Sequence, residues 1–396
     1  MLKRNVLILT QGRFGGTDFL LARLYNWLAL NQCEVEVAMS SEMPKLKAYD
    51  VVFLPTSEIN RLWLFKIRGI KLEHICIWCM GYAAFRGAYV SISDEEYSQR
   101  VEAKKGIRRE LIELLKKLSQ RSLATFLYTR SVVFTDEVGA FADIGNLNFD
   151  GLVSELICPI VIDKQPAESF NYAMPSDTLH LGWVGRIDMD FKFYALEQVI
   201  LDIRSLRSGL LSLYKKIVFH IVGDGDAMND LRVLISSDTS IEYVLVPFIK
   251  KEELSHFIRK HIDLMFAMGT SSLESAKNKV PTIVVPPRAS RTNSQVSKYR
   301  WVSESIGYSL GELNYAGIKP VQKASSMEYL LKQFLKSGSD ISIREYEYTQ
   351  AFDADLVFKK LDHLAGKSSP SLRVYARSFE LYVVKKIKEL VKRVLR

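Results

Sequence analysis

Three short segments of this chain place charged and small residues in patterns suited to holding a phosphate-bearing ligand. In Gly185-Arg-Ile-Asp-Met-Asp-Phe-Lys192, Arg186 offers a bidentate fork and Lys192 a point charge. Together they can neutralise a diphosphate as negative charge develops on it. Gly223-Asp-Gly-Asp226 brings two glycines, Gly223 and Gly225, to the end of an apolar run. Gly269-Thr-Ser-Ser-Leu-Glu274 supplies a flexible backbone with free N–H groups at the expected start of a helix, and Glu274 in its first turn can accept from two ribose hydroxyls. Phe248, in Val246-Pro-Phe-Ile249, can lie against a nucleobase. Each residue has a plainer role as well. Arg186 and Lys192 can form a surface network with Asp188 and Asp190, and Gly223 and Gly225 can be an ordinary strand-to-helix turn. Glu274 can simply complement a helix N-terminus, worth about 0.3–1 kcal/mol. Their order at successive strand ends makes the ligand site the stronger reading.

These segments need a scaffold that brings strand ends together. Leu179–Val184, Ile217–Val222, Glu242–Val246, Asp263–Met268 and Pro281–Pro286 are short apolar runs that alternate with helical patterns over 193–206, 227–236 and 251–261. That alternation predicts a parallel sheet covered by helices, whose ligands bind at the carboxyl ends of the strands. The first part repeats the scheme with strands at Asn5–Thr10, Glu34–Met39, Val51–Pro55 and Ile75–Met80, and a helix over Thr17–Asn31. A long charged helix is predicted over Ser93–Ser122, then two short strands at Leu123–Thr129 and Ser131–Thr135, and a last one at Glu155–Ile162. The polar, proline-interrupted stretch 163–177 is the linker candidate. The expected division is 1–165, a linker at 166–177, a second α/β domain over 178–345 and C-terminal helices over 346–396 that can cross back to the first domain. The fold class is therefore α/β, two Rossmann-like domains facing across a cleft.

Composition narrows the class. With 396 residues and 48% hydrophobic content the chain can bury two cores, which excludes a disordered protein. Four cysteines are too few for a disulfide framework and point to a reducing compartment. Cys76 and Cys79 form a CxxC within an apolar run, and with no neighbouring Cys/His pair the reading is strand packing rather than metal or redox chemistry. The N-terminus lacks the pattern of a signal peptide, and no segment reaches the roughly 20 apolar residues of a membrane span. Of the net charge of +9, a surplus of six lies in residues 371–396, where eight Lys/Arg stand against two Glu.

The order LGWVGRID, Lys192, FHIVGDGD, VPFIKKEEL and DLMFAMGTSSLESAKNKVPTIVV resembles the C-terminal domain of GT-B glycosyltransferases of the family 4 type, clearly over 179–287 and more faintly at LILTQGRFGGT, residues 7–17. The resemblance implies that Arg186 and Lys192 hold a donor diphosphate, that Glu274 binds the donor ribose, and that Gly15 and Gly16 lie beside the phosphates when the domains close. Gly185, Gly223, Gly225 and Phe248 would complete the donor wall. The family's first glutamate, which contacts the transferred sugar, has no counterpart here, and Ser271 and Ser272 stand in its place. The reaction implied is transfer of a sugar from a nucleotide-diphosphate donor, with no cofactor and no metal, to a saccharide or lipid-linked acceptor in cell-surface polysaccharide or glycolipid synthesis. Should the sugar be inverted, Asp18 is placed to act as base on the acceptor hydroxyl, its plainer role being an acid in a first helical turn.

A basic amphipathic helix is expected at Ser378–Arg396, with Phe379, Tyr382, Val383, Ile387, Leu390, Val391 and Val394 toward one side. It suits an anionic membrane surface, which implies a cytoplasmic protein held peripherally at the inner face of the plasma membrane. The plainer alternative is a helix packed back on the protein with its cations solvated. Nucleic acid is not an expected partner, because the charge is confined to the tail without an aromatic platform on a sheet. The rival functions are a nucleotide-sugar epimerase or hydrolase of the same fold and a non-catalytic nucleotide-sugar or nucleic-acid binding protein.

Overall fold

The computed structural model describes residues 3–12, 16–81, 84–85, 107–145, 150–163, 172–175, 177–189, 191–288, 298–311 and 323–394. The chain divides into two units, residues 1–161 with 354–396, and residues 162–353. The expected boundary at 345/346 falls inside the Met327–Thr349 helix, which belongs wholly to the second unit. Most of the linker candidate lies outside the described residues. Tyr172, at its end, packs against the core of the second unit and donates its hydroxyl to the Asp263 carbonyl at 2.9 Å.

The first unit is built on a five-stranded parallel sheet of β1 (Asn5–Thr10), β2 (Glu34–Met39), β3 (Ala48–Pro55), β4 (Lys71–Cys79) and β5 (Val132–Phe134), in the order β2-β1-β3-β4-β5. Val6–Leu9, Val51–Leu54 and Ile75–Cys79 are all buried, as strands covered on both faces must be. Chain order reverses around β1, so the loops after β1 and β3 flank the switch point of this sheet. Cys76 and Cys79 sit inside β4, where burial pushes both thiols well above their ordinary range, so they are packing residues.

Two sequence expectations fail in this unit. Leu123–Tyr128 is not a strand but the end of the Ile107–Tyr128 helix. Leu115, Ser119, Leu123, Phe126 and Leu127 are buried at spacings of three and four, so one helical stripe runs straight through the segment. Of the expected helix over 93–122, residues 93–106 lie outside the described residues. Glu155–Ile162 is not a strand either. It opens as a 3₁₀ turn, Ser154–Leu156, and meets the sheet through an isolated bridge between Phe134 and Ile157 and through the Cys158 carbonyl, which accepts from the Trp78 indole N–H at 3.2 Å.

The second unit carries a six-stranded sheet in the order β11-β10-β9-β6-β7-β8, made of β6 (Thr178–Val184), β7 (Lys216–Val222), β8 (Glu242–Val246), β9 (Leu264–Ala267), β10 (Thr282–Val284) and an antiparallel edge strand β11 (Arg300–Trp301). Its five parallel strands, counted in chain order, run 5-4-1-2-3, the doubly wound arrangement of dinucleotide-binding folds. One face packs a continuous core around Trp183, Phe193, Phe219, Phe266 and Trp301. The other holds a stacked imidazole pair, His180 and His220, with Nδ1 and Nε2 at 3.0 Å. Glu345 of the Met327–Thr349 helix is buried and accepts from the backbone N–H of Thr282 and Val302 at 2.6 and 2.9 Å. That carboxylate ties the helix to the far edge of the sheet.

The C-terminal helix runs Leu372–Val394, six residues longer at its start than the sequence pattern indicates. It packs on the first unit, burying Val374, Tyr375, Ser378, Leu381 and Val384. The expected single apolar face is thereby corrected: the stripe that the helix uses inward is a different one from the stripe carrying Phe379 and Val383, which stay exposed.

Candidate functional site

The register of the second sheet brings the predicted segments to one edge. Val184 pairs with Val222, Val222 with Val246, and Trp183 with Phe266, so β6, β7, β8 and β9 end nearly level. Their following loops, starting at Gly185, Gly223, Pro247 and Met268, therefore open on the same carboxyl edge. The switch point falls between β6 and β9, which puts the Arg186 loop and the Gly269–Glu274 segment on its two sides.

The first two loops are laced together through their backbones. Gly185 N–H donates to Val222 O at 3.0 Å, Ile187 N–H to Asp224 O at 3.0 Å, and Ala227 N–H to Ile187 O at 2.9 Å. The aspartates finish the work: Met189 N–H donates to Asp226 Oδ1 at 2.6 Å and Gly225 N–H to Asp224 Oδ1 at 2.8 Å. So close an approach requires glycine. A Cβ on Gly223, whose φ is +148°, would fall on the Gly185 carbonyl, with its carbon only 3.0 Å away. One on Gly225 would meet the Ile187 carbonyl carbon at 2.5 Å. These glycines thus have a definite duty, which is to admit the Arg186 loop rather than to leave room for a ligand alone.

Arg186 pairs with Asp188, as the plainer reading of this segment has it, yet 63% of the arginine side chain remains exposed. A pair so exposed contributes at most about 1 kcal/mol, so the guanidinium can exchange partners. Lys192 is half-buried in the first turn of the Phe191–Leu211 helix, which is anchored by fully buried Phe193. Asp190 lies outside the described residues. Phe248 is 81% exposed beyond β8.

The third segment differs more from expectation. Its helix spans Thr270–Ala276, so Glu274 stands in the second turn, not the first. Its carboxylate is largely buried and paired with Lys277. Of the N–H groups expected to be free, Gly269 donates to Leu310 O at 2.5 Å and Ser272 to Gly269 O at 3.1 Å. Ser272 is fully buried and its hydroxyl also donates to Gly269 O, at 2.7 Å, which is the back-bonding habit of serine near a helix start. Ser271 is half-buried. The segment therefore offers Ser271 and the Glu274–Lys277 pair more than an open ring of amides.

In the first unit Gly15 lies outside the described residues, and Gly16 opens the Gly16–Leu30 helix on the surface. Asp18, half-buried in that first turn, accepts a hydrogen bond from Thr10 Oγ1 at the end of β1, and Thr10 Oγ1 accepts from Gly12 N–H at 3.2 Å. Nearby strand ends hold residues the sequence reading passed over. Ser40 Oγ donates to Glu58 Oε1 at 2.8 Å, and buried Arg61 pairs with Glu58 at 3.2 Å while donating to Met39 O at 2.9 Å. The only sequence signal for this group is polar residues directly after apolar strands. Among the described residues no three His, Cys, Asp or Glu are grouped as metal ligands, and no helix is long and apolar enough to cross a membrane.

No protein-family model and no curated protein matches the sequence. Solved structures do match the fold. The apo form of the lipopolysaccharide outer core galactosyltransferase WaaB is similar over 91% of this chain and 98% of its own, with a TM-score of 0.51 at 10% identity. An alpha-glucosyltransferase in complex with UDP is similar over 91% and 99%, with a TM-score of 0.44 at 12% identity, and WaaG, a glycosyltransferase involved in lipopolysaccharide biosynthesis, over 91% and 100%, with 0.43 at 14%. Two Rossmann-like units, the order of the second sheet and the likeness to WaaB along nearly its whole length give this chain the GT-B fold of glycosyltransferases.

Proposed function

We propose that the protein transfers a sugar from a nucleotide-diphosphate donor to a saccharide or lipid-linked acceptor in the synthesis of a cell-surface polysaccharide or glycolipid, working at the cytoplasmic face of a membrane. The observation that carries this reading is the laced pair of loops after β6 and β7, which holds Gly185 and Arg186 rigidly beside the switch point. In this reading Arg186 leaves Asp188 for the donor diphosphate, Lys192 adds its charge, and Phe248 stacks on the base. Glu274 takes the ribose hydroxyls, with Lys277 orienting its carboxylate, and Ser271 stands nearest the sugar.

In the reaction, the acceptor hydroxyl oxygen bonds to the anomeric carbon while the carbon–oxygen bond to the diphosphate breaks, its electron pair leaving with the nucleotide. Arg186 and Lys192 neutralise the charge that gathers on that leaving group. For inversion, Asp18 receives the acceptor proton, held in orientation by the Thr10 hydroxyl. Isothermal calorimetry with nucleoside diphosphates tests the donor site: Arg186→Ala and Glu274→Ala should each weaken binding by about tenfold or more. Unchanged affinity in both would remove the assignment. Release of free sugar without acceptor transfer would favour the hydrolase reading instead.

A further inference from the structure

The inward packing of the C-terminal helix leaves a second stripe outside, and that stripe is apolar. Leu372, Phe379 and Val383 recur at helical spacing and are 74%, 47% and 38% exposed. Next to it lies the short Leu62–Ile67 helix, joined to the C-terminal one by Ser378, whose hydroxyl accepts from Trp63 N–H at 3.0 Å and donates to Ile59 O at 2.6 Å. The Trp63 ring meets Phe379 edge-on at 5.2 Å and Tyr382 at 5.3 Å. One turn after Trp63, Ile67 is 68% exposed. Isolated exposed apolar residues mean little, but an aromatic cluster continuous across two helices marks a surface that meets something.

The charges around the patch identify its occupant. Lys386 reaches over the Tyr382 ring at 5.9 Å and Lys66 over Tyr375 at 5.5 Å, while Arg68 and Arg373 are exposed on the flanks. Glu380, the nearest acid on the helix, is neutralised by Arg377. Beyond the patch the helix continues to Val394 through Lys388, Lys392 and Arg393. Amphipathic rings bordered by cations are the makeup of a surface that settles into the headgroup layer of an anionic bilayer, with the rings at the acyl boundary and the cations among phosphates.

We infer that this composite patch, Trp63 and Ile67 with Phe379, Tyr382 and Val383, is the membrane-docking surface of the protein. It rests on the membrane location proposed above and deepens it: the C-terminal helix binds the bilayer while folded onto the first unit, through its outer stripe and a partner helix, and not as a freely detaching amphipathic tail. A preformed surface docks without the cost of ordering a segment.

The test is flotation of the full chain with vesicles of phosphatidylcholine alone or with about 30% phosphatidylglycerol. Wild type should bind the anionic vesicles. Ile67→Ser/Phe379→Ser/Val383→Ser should weaken that binding by about tenfold or more. Neutralising Lys388, Lys392 and Arg393 to Gln should cost less and mainly change the salt dependence. Brominated lipid should quench wild-type fluorescence more than that of Trp63→Phe, a readout that does not depend on the triple variant folding. Absence of binding by wild type overturns the inference. So does a triple variant that binds normally while the tail variant does not, or a wild-type dimer that the triple variant dissolves. Nucleoside-diphosphate calorimetry on the same samples separates the two ideas, since failure there removes the donor reading and leaves the docking result standing.

Discussion

Gly223→Ala adds one methyl group to the residue that lets two loops touch. At φ +148° the new side chain is in a region L residues avoid, a strain of about 1–2 kcal/mol. Relief by rotation is blocked, because Gly223 N–H is bonded to Val246 O at 3.0 Å. The Cβ would lie on the Gly185 carbonyl, so the β6 loop must retreat, stretching the bonds from Gly185 N–H to Val222 O and from Ile187 N–H to Asp224 O. Losing one or two such bonds adds about 1–2 kcal/mol. The sum is roughly 3 kcal/mol, read by urea unfolding as a lower midpoint with unchanged slope. Because the displaced loop carries Arg186, nucleoside-diphosphate affinity should fall with it, by about tenfold or more. Gly209→Ala is the internal control: nothing lies within 4 Å of its Cβ and it sits in the Phe191–Leu211 helix, so it should stabilise by about 0.5–1 kcal/mol. If Gly223→Ala matches Gly209→Ala in both stability and affinity, the lacing of the two loops is not what holds the site.

Other outcomes follow from the same contacts. Burial, with the nearby His180 and His261 rings, pushes His220 down to about 4. Its folded value lies below its unfolded one, so stability should be complete above pH 6.5 and decline as pH falls from there toward 4, by about 2 kcal/mol after allowing for partial solvation of the ring; a His220→Gln variant should flatten that slope in urea titrations across pH. Ser378→Ala removes the hydroxyl that serves both Trp63 N–H and Ile59 O, and should cost about 1–3 kcal/mol and speed hydrogen exchange selectively in the C-terminal helix. Thr10→Val deprives Asp18 of its orienting donor. If Asp18 is the base, turnover should drop by about tenfold to a hundredfold with donor affinity unchanged in calorimetry.

Most parallel strands of both units were legible because double burial leaves a short apolar run, in most of them closed by glycine or proline. Leu123–Tyr128 has the same apolar density and is helical. A short apolar run has no period of its own, and only continuity with Ser119 and Leu115, one and two turns earlier, assigns it. At the site, residue types were readable while their geometry was not. Gly223 and Gly225 stood out as glycines, but that they admit the backbone of Gly185 and Ile187 depends on how far β6 and β7 extend before turning. Glu274 stood out as a carboxylate, but its partner Lys277 and its second-turn position depend on where the helix starts. Glu58 and Arg61 share the turn after β3, while Ser40 follows β2 and meets them only in space, so no local pattern could announce the three together.

The C-terminal helix shows why periodicity alone misassigns a surface. Its sequence contains two apolar stripes, one through Val374, Ser378, Leu381 and Val384 and one through Leu372, Phe379 and Val383. A single amphipathic face drawn over the second stripe agrees with the exposure of Phe379 and Val383, yet it treats the rest of the helix as polar and therefore free. Ser378 reverses that reading, since a small hydroxyl at the centre of the inner stripe lets the helix approach the Ile59–Trp63 backbone closely enough to bond it twice. The close approach in turn brings Trp63 beside Phe379 and Tyr382 and turns a one-helix stripe into a two-helix aromatic surface. The same serine that fastens the helix inward thus sets the shape of what is presented outward, so Ser378→Ala should lower vesicle binding as well as stability, an outcome a freely detaching tail would not produce.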